Sequence, residues 1–426
     1  MTFCFVFCIL AGIADPRAAQ SESPPAEIAV RVTSLDLPDL CIVTCMAVAT
    51  DGTRLLCTPL ALYTLLKSGN TIFLAGHTTE RGFKDGQGGA ARFAGLTSIA
   101  VDGAGNCFVA DSFNHALRKV TRNGAVSTLA GNGEAGYADG VGDAVRFNKP
   151  YGIALDADGT IYVADCENNC VRQVSPDDGA VSTLAGEGKE GAGFADGPGS
   201  TARFFIPGGL ALDTDSHLIV ADMGNHCIRR VTTAEGHVTT VAGSPVHGHG
   251  VSDGEGAAAR FYIPMGIAVD GNNNILVADC ANNLIRMIAG STACVTTVVG
   301  SAEQGKVDGT GACARFLRPI FLALDEHGSL LVADHNQNCL RVVEASLEPP
   351  RQLLAATVLL LQVCARSPCR YLVRAVVELD PCVWPFFFSK HVLMSCSVVE
   401  CDPCLLPSWF TYWVLFVRPF NLSVIH

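Results

Sequence analysis

Five segments of this chain superpose on one another at nearly constant spacing, and that repeat limits the fold more than any other feature of the sequence. They span 98–120, 152–174, 209–231, 266–288 and 321–343. Each has an apolar run such as GIAL or GLAL, an Asp/Gly/Asn turn, a second run ending in Val-Ala-Asp, and a third of the type I-R-R-V. The closing aspartates, Asp111, Asp165, Asp222, Asp279 and Asp334, lie 54, 57, 57 and 55 residues apart. Seven residues after each comes an arginine: Arg118, Arg172, Arg229, Arg286 and Arg341. A fourth β-rich run (VSTLAG, VTTVAG) completes the first four units. Short runs joined by tight turns leave no room for a helix. A single four-stranded sheet cannot bury both of its faces, so the copies must stack radially.

These residues resemble the NHL repeat family, whose signature runs P-x-G-I-A-V-D, then Y-V-A-D, then N-H-x-I-R-K-V. Asn114–His115, Asn225–His226 and the downstream arginines match it most closely. The resemblance implies β-propeller blades. A weaker copy at 46–51, 55–58 and 71–76 lacks both the VAD aspartate and the N-H-x-I-R motif, and it brings the count to six. The expected fold is all-β: a six-bladed β-propeller of four-stranded antiparallel blades over 26–345. The degenerate blade falls in 41–96 and the clear ones in 97–343. The fifth clear unit lacks its fourth strand, while 27–35 (EIAVRVTSL) alternates like a spare one. Pairing it into the last blade would remove an exposed sheet edge; 353–363 competes for that place.

The two ends differ from the repeats. Residues 2–14 form an apolar run too short to span a bilayer and similar to a secretory signal core, although no Lys or Arg precedes it. Residues 1–25 are accordingly read as signal peptide and linker, with a cytoplasmic protein as the other reading. The tail, 346–426, is rich in Cys and apolar residues and is expected to be poorly structured or partly helical. A membrane-anchoring helix is the lesser alternative there. Cys401 and Cys404 have the spacing of a zinc or redox half-site but no second such pair. The 19 cysteines are odd in number, so they cannot all pair internally.

A glycine-rich connector joins the units: KDGQGGAARF, ADGVGDAVRF, ADGPGSTARF, SDGEGAAARF and VDGTGACARF. In each, an aspartate (Asp85, Asp139, Asp196, Asp253, Asp308) precedes an arginine (Arg92, Arg146, Arg203, Arg260, Arg315) by seven residues. From that arginine to the VAD aspartate is always 19 residues, whereas 8 to 10 separate the end of strand four from the connector aspartate. The connector therefore reads as an ordered element with one variable tip. Ten evenly placed Asp–Arg couples suggest salt bridges that lock turns, because a catalytic constellation would not recur five times. Asn114, Asn168, Asn225 and Asn282 suit a tight turn with positive φ. His115 and His226 share a position with Asn169, Asn283 and Asn338, an interchange that argues against metal ligation. Cys170, Cys227 and Cys339 share a slot with Ala116 and Leu284, where thiols act as small hydrophobes.

These patterns favour a non-enzymatic protein- or peptide-binding scaffold, monomeric and without catalytic residues, cofactor or metal. The alternatives are a metal-dependent propeller enzyme of lyase or lactonase type, and an RNA-binding NHL module. An enzyme would need ionisable groups on the innermost strands, which read SIAV, GIAL, GLAL, GIAV and FLAL. Residues 97–343 hold 27 acidic and 16 basic side chains. Nine of those basic residues are repeated arginines, which leaves little for a phosphate-binding face, and few exposed aromatics are foreseen. The expected interaction face carries the connectors, with Asp139, Asp196, His247, His249, Asp253, Glu255 and Asp308 as candidates. Their acidity favours a basic protein or peptide partner.

Overall fold

In the second strand of each clear blade, every residue is buried: Cys107–Asp111, Ile161–Asp165, Leu218–Asp222, Ile275–Asp279 and Leu330–Asp334. A strand that is apolar on both faces must lie between two layers, and here the layers are the neighbouring blades. One core cluster, for example, joins Phe108, Ala110 and Leu117 of one blade to Ile153, Ile161 and Val163 of the next. The computed structural model describes residues 29–35, 37, 40, 42–188, 191–335 and 339–346. It also describes a separate two-stranded ladder of Ala375–Val377 and Val392–Met394.

The architecture is a six-bladed β-propeller of antiparallel sheets. The innermost strands are Cys45–Val48, Leu96–Val101, Pro150–Leu155, Pro207–Leu212, Pro264–Val269 and Pro319–Leu324, of blades 1 to 6. Each touches the next, and the last touches the first, so the ring closes. Their approach requires small residues. A Cβ on Gly152 would lie 2.3 Å from the Gly208 carbonyl, and one on Gly209 would lie 2.2 Å from that of Met265. Among the described residues the only helical segments are short 3-10 turns, and no helix is long and apolar enough to cross a membrane.

Ala29–Leu35 supplies the fourth strand of blade 6, lying between Cys339–Ser346 and the connector strand Gly309–Thr310 at the sheet edge. Val32 is fully buried there, and the Ser34 N–H and hydroxyl both donate to the Asp308 carboxylate, at 2.9 and 2.8 Å. The competing segment 353–363 lies outside the described residues, as do 2–14, the tail cysteines and Cys401–Cys404. In the other blades the connectors do similar work: Gly86–Gln87, Gly140–Val141 and Gly254–Glu255 each pair with the outermost strand of the blade they lead into. The outer edges of blades 2, 3, 5 and 6 are thereby covered, and a single bridge from Gly197 to Val238 meets that of blade 4, which blunts a template for aggregation.

Blade 1 is complete despite its weak signature. Thr58 takes the place of the VAD aspartate, and its hydroxyl accepts the Ala61 N–H. Tyr63 stands where the arginine would be, with its ring edge-on to Phe73 at 5.7 Å. The degenerate repeat has exchanged a buried ion pair for a hydroxyl and an aromatic ring, a replacement that folds tolerate when both partners go together.

Candidate interaction face

The repeated Asp and Arg positions form one buried unit per blade. In blade 4, Asp222 and Arg229 have no exposed surface. Arg229 Nη1 donates to Asp222 (2.8 Å) and to the Arg203 carbonyl (3.0 Å), while Nη2 donates to Asp196 (2.6 Å) and the Ala195 carbonyl (2.8 Å). The guanidinium is held between the rings of Phe194 and Phe204, 4.7 and 5.2 Å from their centroids. Asp222 in turn accepts the Phe205 N–H and the Asn225 amide. Blades 2, 3, 5 and 6 repeat the Asp–Arg pair with Asp111 and Arg118, Asp165 and Arg172, Asp279 and Arg286, and Asp334 and Arg341. Burial pushes the carboxyls of Asp165, Asp222, Asp279 and Asp334 up to about 6, against the pull of the arginines. With every oxygen committed inside the blade, these groups are scaffold.

The connector couples pair differently from the seven-residue spacing. Asp85, Asp139, Asp196, Asp253 and Asp308 bind the buried arginines 33 positions downstream: Arg118, Arg172, Arg229, Arg286 and Arg341. Asp139, Asp196 and Asp253 also accept hydrogen bonds from Thr183, Thr240 and Thr297. The connector is an out-and-back loop that bridges Ala138 to Arg146, so its aspartate faces the strand pair while its arginine points along the tip. Those tip arginines pair with glutamates instead: Arg92 with Glu80, Arg146 with Glu134, Arg203 with Glu187 and Arg315 with Glu303. The rim aspartates on which a basic partner was expected are therefore already neutralised.

The turn geometry is also displaced by one residue from expectation. The positive φ falls on His115 (50°), Asn169 (54°), His226 (56°) and Asn283 (58°), and not on the preceding asparagines. Asn114, Asn168, Asn225 and Asn282 sit in the 3-10 turn, where each amide donates to its VAD aspartate and to a connector carbonyl. The left-handed residue has its own task. His115 Nδ1 accepts the Lys149 N–H (3.1 Å), Asn169 Oδ1 that of Ile206 (2.9 Å), His226 Nδ1 that of Ile263 (3.3 Å) and Asn283 Oδ1 that of Arg318 (3.0 Å). All four acceptors reach into the next blade. Imidazole and amide interchange at this position because each presents one acceptor at the same reach.

Two places invite metal or catalytic readings. Asp213, Asp215 and His217 bring ligand atoms within 4.8 Å of one another. One Asp213 oxygen, however, accepts the N–H groups of Asp215 and His217, and Arg230 lies 3.1 Å from the other. A guanidinium already holds the position a cation would take, and the same Asp turn recurs at Asp102 and Asp270. The mouth of the channel holds Tyr151, Cys166 and Cys280. Burial pushes both thiols up to about 12 and the phenol well above its ordinary range, so all three stay protonated. Neutral thiols are poor nucleophiles and poor ligands. Among the described residues the cysteines are free; Cys170, Cys227 and Cys339 are buried in their shared slot.

The exposed side chains break the symmetry. Asn114 joins its turn to the connector at Gly82, so turns and connectors share a face. That face exposes Phe83, Phe113, Tyr137, Phe194 and Phe205, together with Val246 at 82%. Five open aromatic rings are more than the sequence suggested. Phe83, Tyr137 and Phe194 lie over Arg118, Arg172 and Arg229, and each stands two residues before a connector aspartate; that recurrence was the signal that could have found them. Among the candidates, His249 stacks on Tyr262 at 4.0 Å and His226 meets both rings edge-on at 5.5 Å. His247 ends a 3-10 turn at the connector tip, and Glu255 is exposed.

Comparison with known proteins fits this frame. The family model for the NHL repeat matches residues 147–174, the end of one connector and the first three strands of blade 3. Residues 147–174 are an NHL repeat, and the sister blades share its pattern. It is 29% identical over 296 residues to Protein SUPPRESSOR OF QUENCHING 1, chloroplastic, of Arabidopsis thaliana, a match covering 66% of this chain and 28% of that one. It is 27% identical over 333 residues to NHL repeat-containing protein 2 of Bos taurus, covering 58% of this chain and 46% of the relative. The chain thus spans less than half of either relative's length. Among solved structures, a protein of unknown function from Bacteroides thetaiotaomicron superposes with a TM-score of 0.56 at 17% identity, covering 74% and 76% of the two chains, which shows the shared fold.

Proposed function

We propose that this propeller is a non-catalytic scaffold that binds a protein or peptide on the face carrying its connectors and N-H turns. One observation carries the reading: the buried Asp–Arg charges of the repeat are paired with one another within the blades, only the arginine Nε atoms lacking a hydrogen bond, while Phe113, Phe205 and Val246 are left open on that face. Apolar side chains held by rigid strands, and surrounded by polar loops, are what a recognition surface requires. The channel side supports the same view, since its thiols and phenol are protonated and its strands are apolar. The partner's charge follows from the tips and not from the rim aspartates, which the buried arginines neutralise. Nucleic acid is not the proposed partner, because only seven basic residues between 97 and 343 lie outside the repeated arginines. Peptides selected from a random library against the full chain provide the test. Phe113→Ser and Phe205→Ser should weaken them without lowering the melting temperature, while changes at Asp158 and Asn272, on the opposite turns, should not.

A further inference from the structure

Four of the five connector arginines face a glutamate of their own connector, and one does not. Arg92 donates through Nη1 to the carbonyls of Gly89 and Ala91, and through Nε and Nη2 to Glu80 at 2.9 and 2.7 Å. Arg146 repeats the carbonyl clamp and faces Glu134; Arg203 and Arg315 hold Glu187 and Glu303 at 2.7 and 2.5 Å. Arg260 has the same clamp, with Nη1 on the carbonyls of Ala257 and Ala259, both at 2.6 Å. Its stem packs on Gly250 as that of Arg92 packs on Gly82. No described carboxylate pairs with it. The tip that should supply one reads Ser244-Pro-Val-His-Gly-His-Gly-Val-Ser, without an acid before Asp253, which Arg286 holds. Connectors three and four have equal length, with 10 residues from Gly186 to Asp196 and from Gly243 to Asp253. Ser244 therefore stands where Glu187 stands.

We propose that Arg260 is the receptor for a carboxylate of an acidic bound peptide, which takes the place filled internally in the four sister connectors. The inference deepens the binding role of the connector face and rests on it. The clamp on Nη1 fixes the guanidinium plane and leaves the Nε–Nη2 edge free, the edge that takes a carboxylate in a bidentate pair. In the sister loops such a pair is open to water and contributes little. Covered by a peptide it loses that screening, and Val246 and the His249–Tyr262 stack on the same blade junction offer apolar surface for the covering chain.

The test uses the full chain and peptides selected on it from a phage-displayed random library. The selected peptides should share an Asp or Glu, and Arg260→Gln should weaken them about tenfold or more. Ser244→Glu, which places an internal carboxylate where Glu187 sits, should do the same while leaving the fold intact; Ser244 is in extended backbone that accepts any residue. Arg203→Gln is the control and should change little. Peptides without an acid, or affinities unmoved by both Arg260→Gln and Ser244→Glu, overturn the proposal. If Phe113→Ser still abolishes binding in that case, the face stands and only the carboxylate assignment falls. A library that yields no binder counts against both.

Discussion

Replacing Arg229 with Met removes one cation from the centre of blade 4 and leaves its partners in place. Four acceptors each lose one donor: the carboxylates of Asp222 and Asp196 and the carbonyls of Arg203 and Ala195. Asp196 is half-exposed and can turn to water, so most of the cost falls on Asp222, which has no exposed surface. Breaking a buried pair from one side costs about 3–5 kcal/mol. Asp222 already sits at about 6 through burial, and without Arg229 it rises further and takes a proton at neutral pH, which places the expected loss near the lower bound of that range, about 3 kcal/mol. The linkage has a definite sign. A carboxyl raised above its unfolded value of about 3.9 contributes stability that is present below that value and lost as pH rises through the folded one. The deficit of Arg229→Met relative to the parent chain should therefore shrink as pH falls from about 7 to about 5. Urea unfolding at both pH values reads it, with Asp222→Asn/Arg229→Met recovering about 1–2 kcal/mol of the single variant's loss. A cost below about 1 kcal/mol, or a double variant equal to the sum of the singles, refutes the buried-pair account.

Other outcomes follow from the same geometry. Val32→Asp should place a charge at the one fully buried position of the closing strand, lower stability by about 2 kcal/mol or more and produce soluble oligomers on a sizing column; an unchanged monomeric melt contradicts the closure. Burial and the neighbouring His249 hold the His226 imidazole below its usual pKa, so its contribution is present above about 6.5 and lost as pH falls. His226→Asn keeps an acceptor for the Ile263 N–H, as Asn169 does for Ile206, and should reduce the fall in melting temperature between about pH 7.5 and 5.5; an equal fall in both proteins refutes the role.

Strand order, blade count and closure were legible because they depend on patterns that repeat: the two-sided apolar run before each VAD aspartate and the unpartnered run at 27–35. The buried pairs could be read at the VAD positions, where Asp165 and Arg172 sit on adjacent strands of one hairpin, Arg172 opposite Val163 and so diagonal to Asp165. At the connectors the seven-residue spacing misled. Asp139 and Arg146 straddle the out-and-back bridge at Ala138, and the true partner, Arg172, comes from the next blade's third strand. Spacing reveals contacts within one hairpin but not across an irregular loop. The open aromatics escaped for a different reason: the recurrence of Phe83, Tyr137 and Phe194 two residues before a connector aspartate marks their place, but that each covers a buried guanidinium with one face and leaves the ring exposed is visible only in the structure. The significance of Arg260 rests on the absence of a single glutamate, which becomes visible only when the four sister pairs are seen.

The central claim is that the connector face, and no other surface, recognises the partner. Hydrogen exchange on the full chain, measured with and without a library-selected peptide at saturating concentration, tests it most directly. Protection should appear in the turns Ser112–Asn114 and Met223–Asn225 and along the tip around Pro245–His247, with the opposite turns near Gly159 and Asn273 unchanged. Protection confined to those opposite turns, or to the outer strands, would contradict the account.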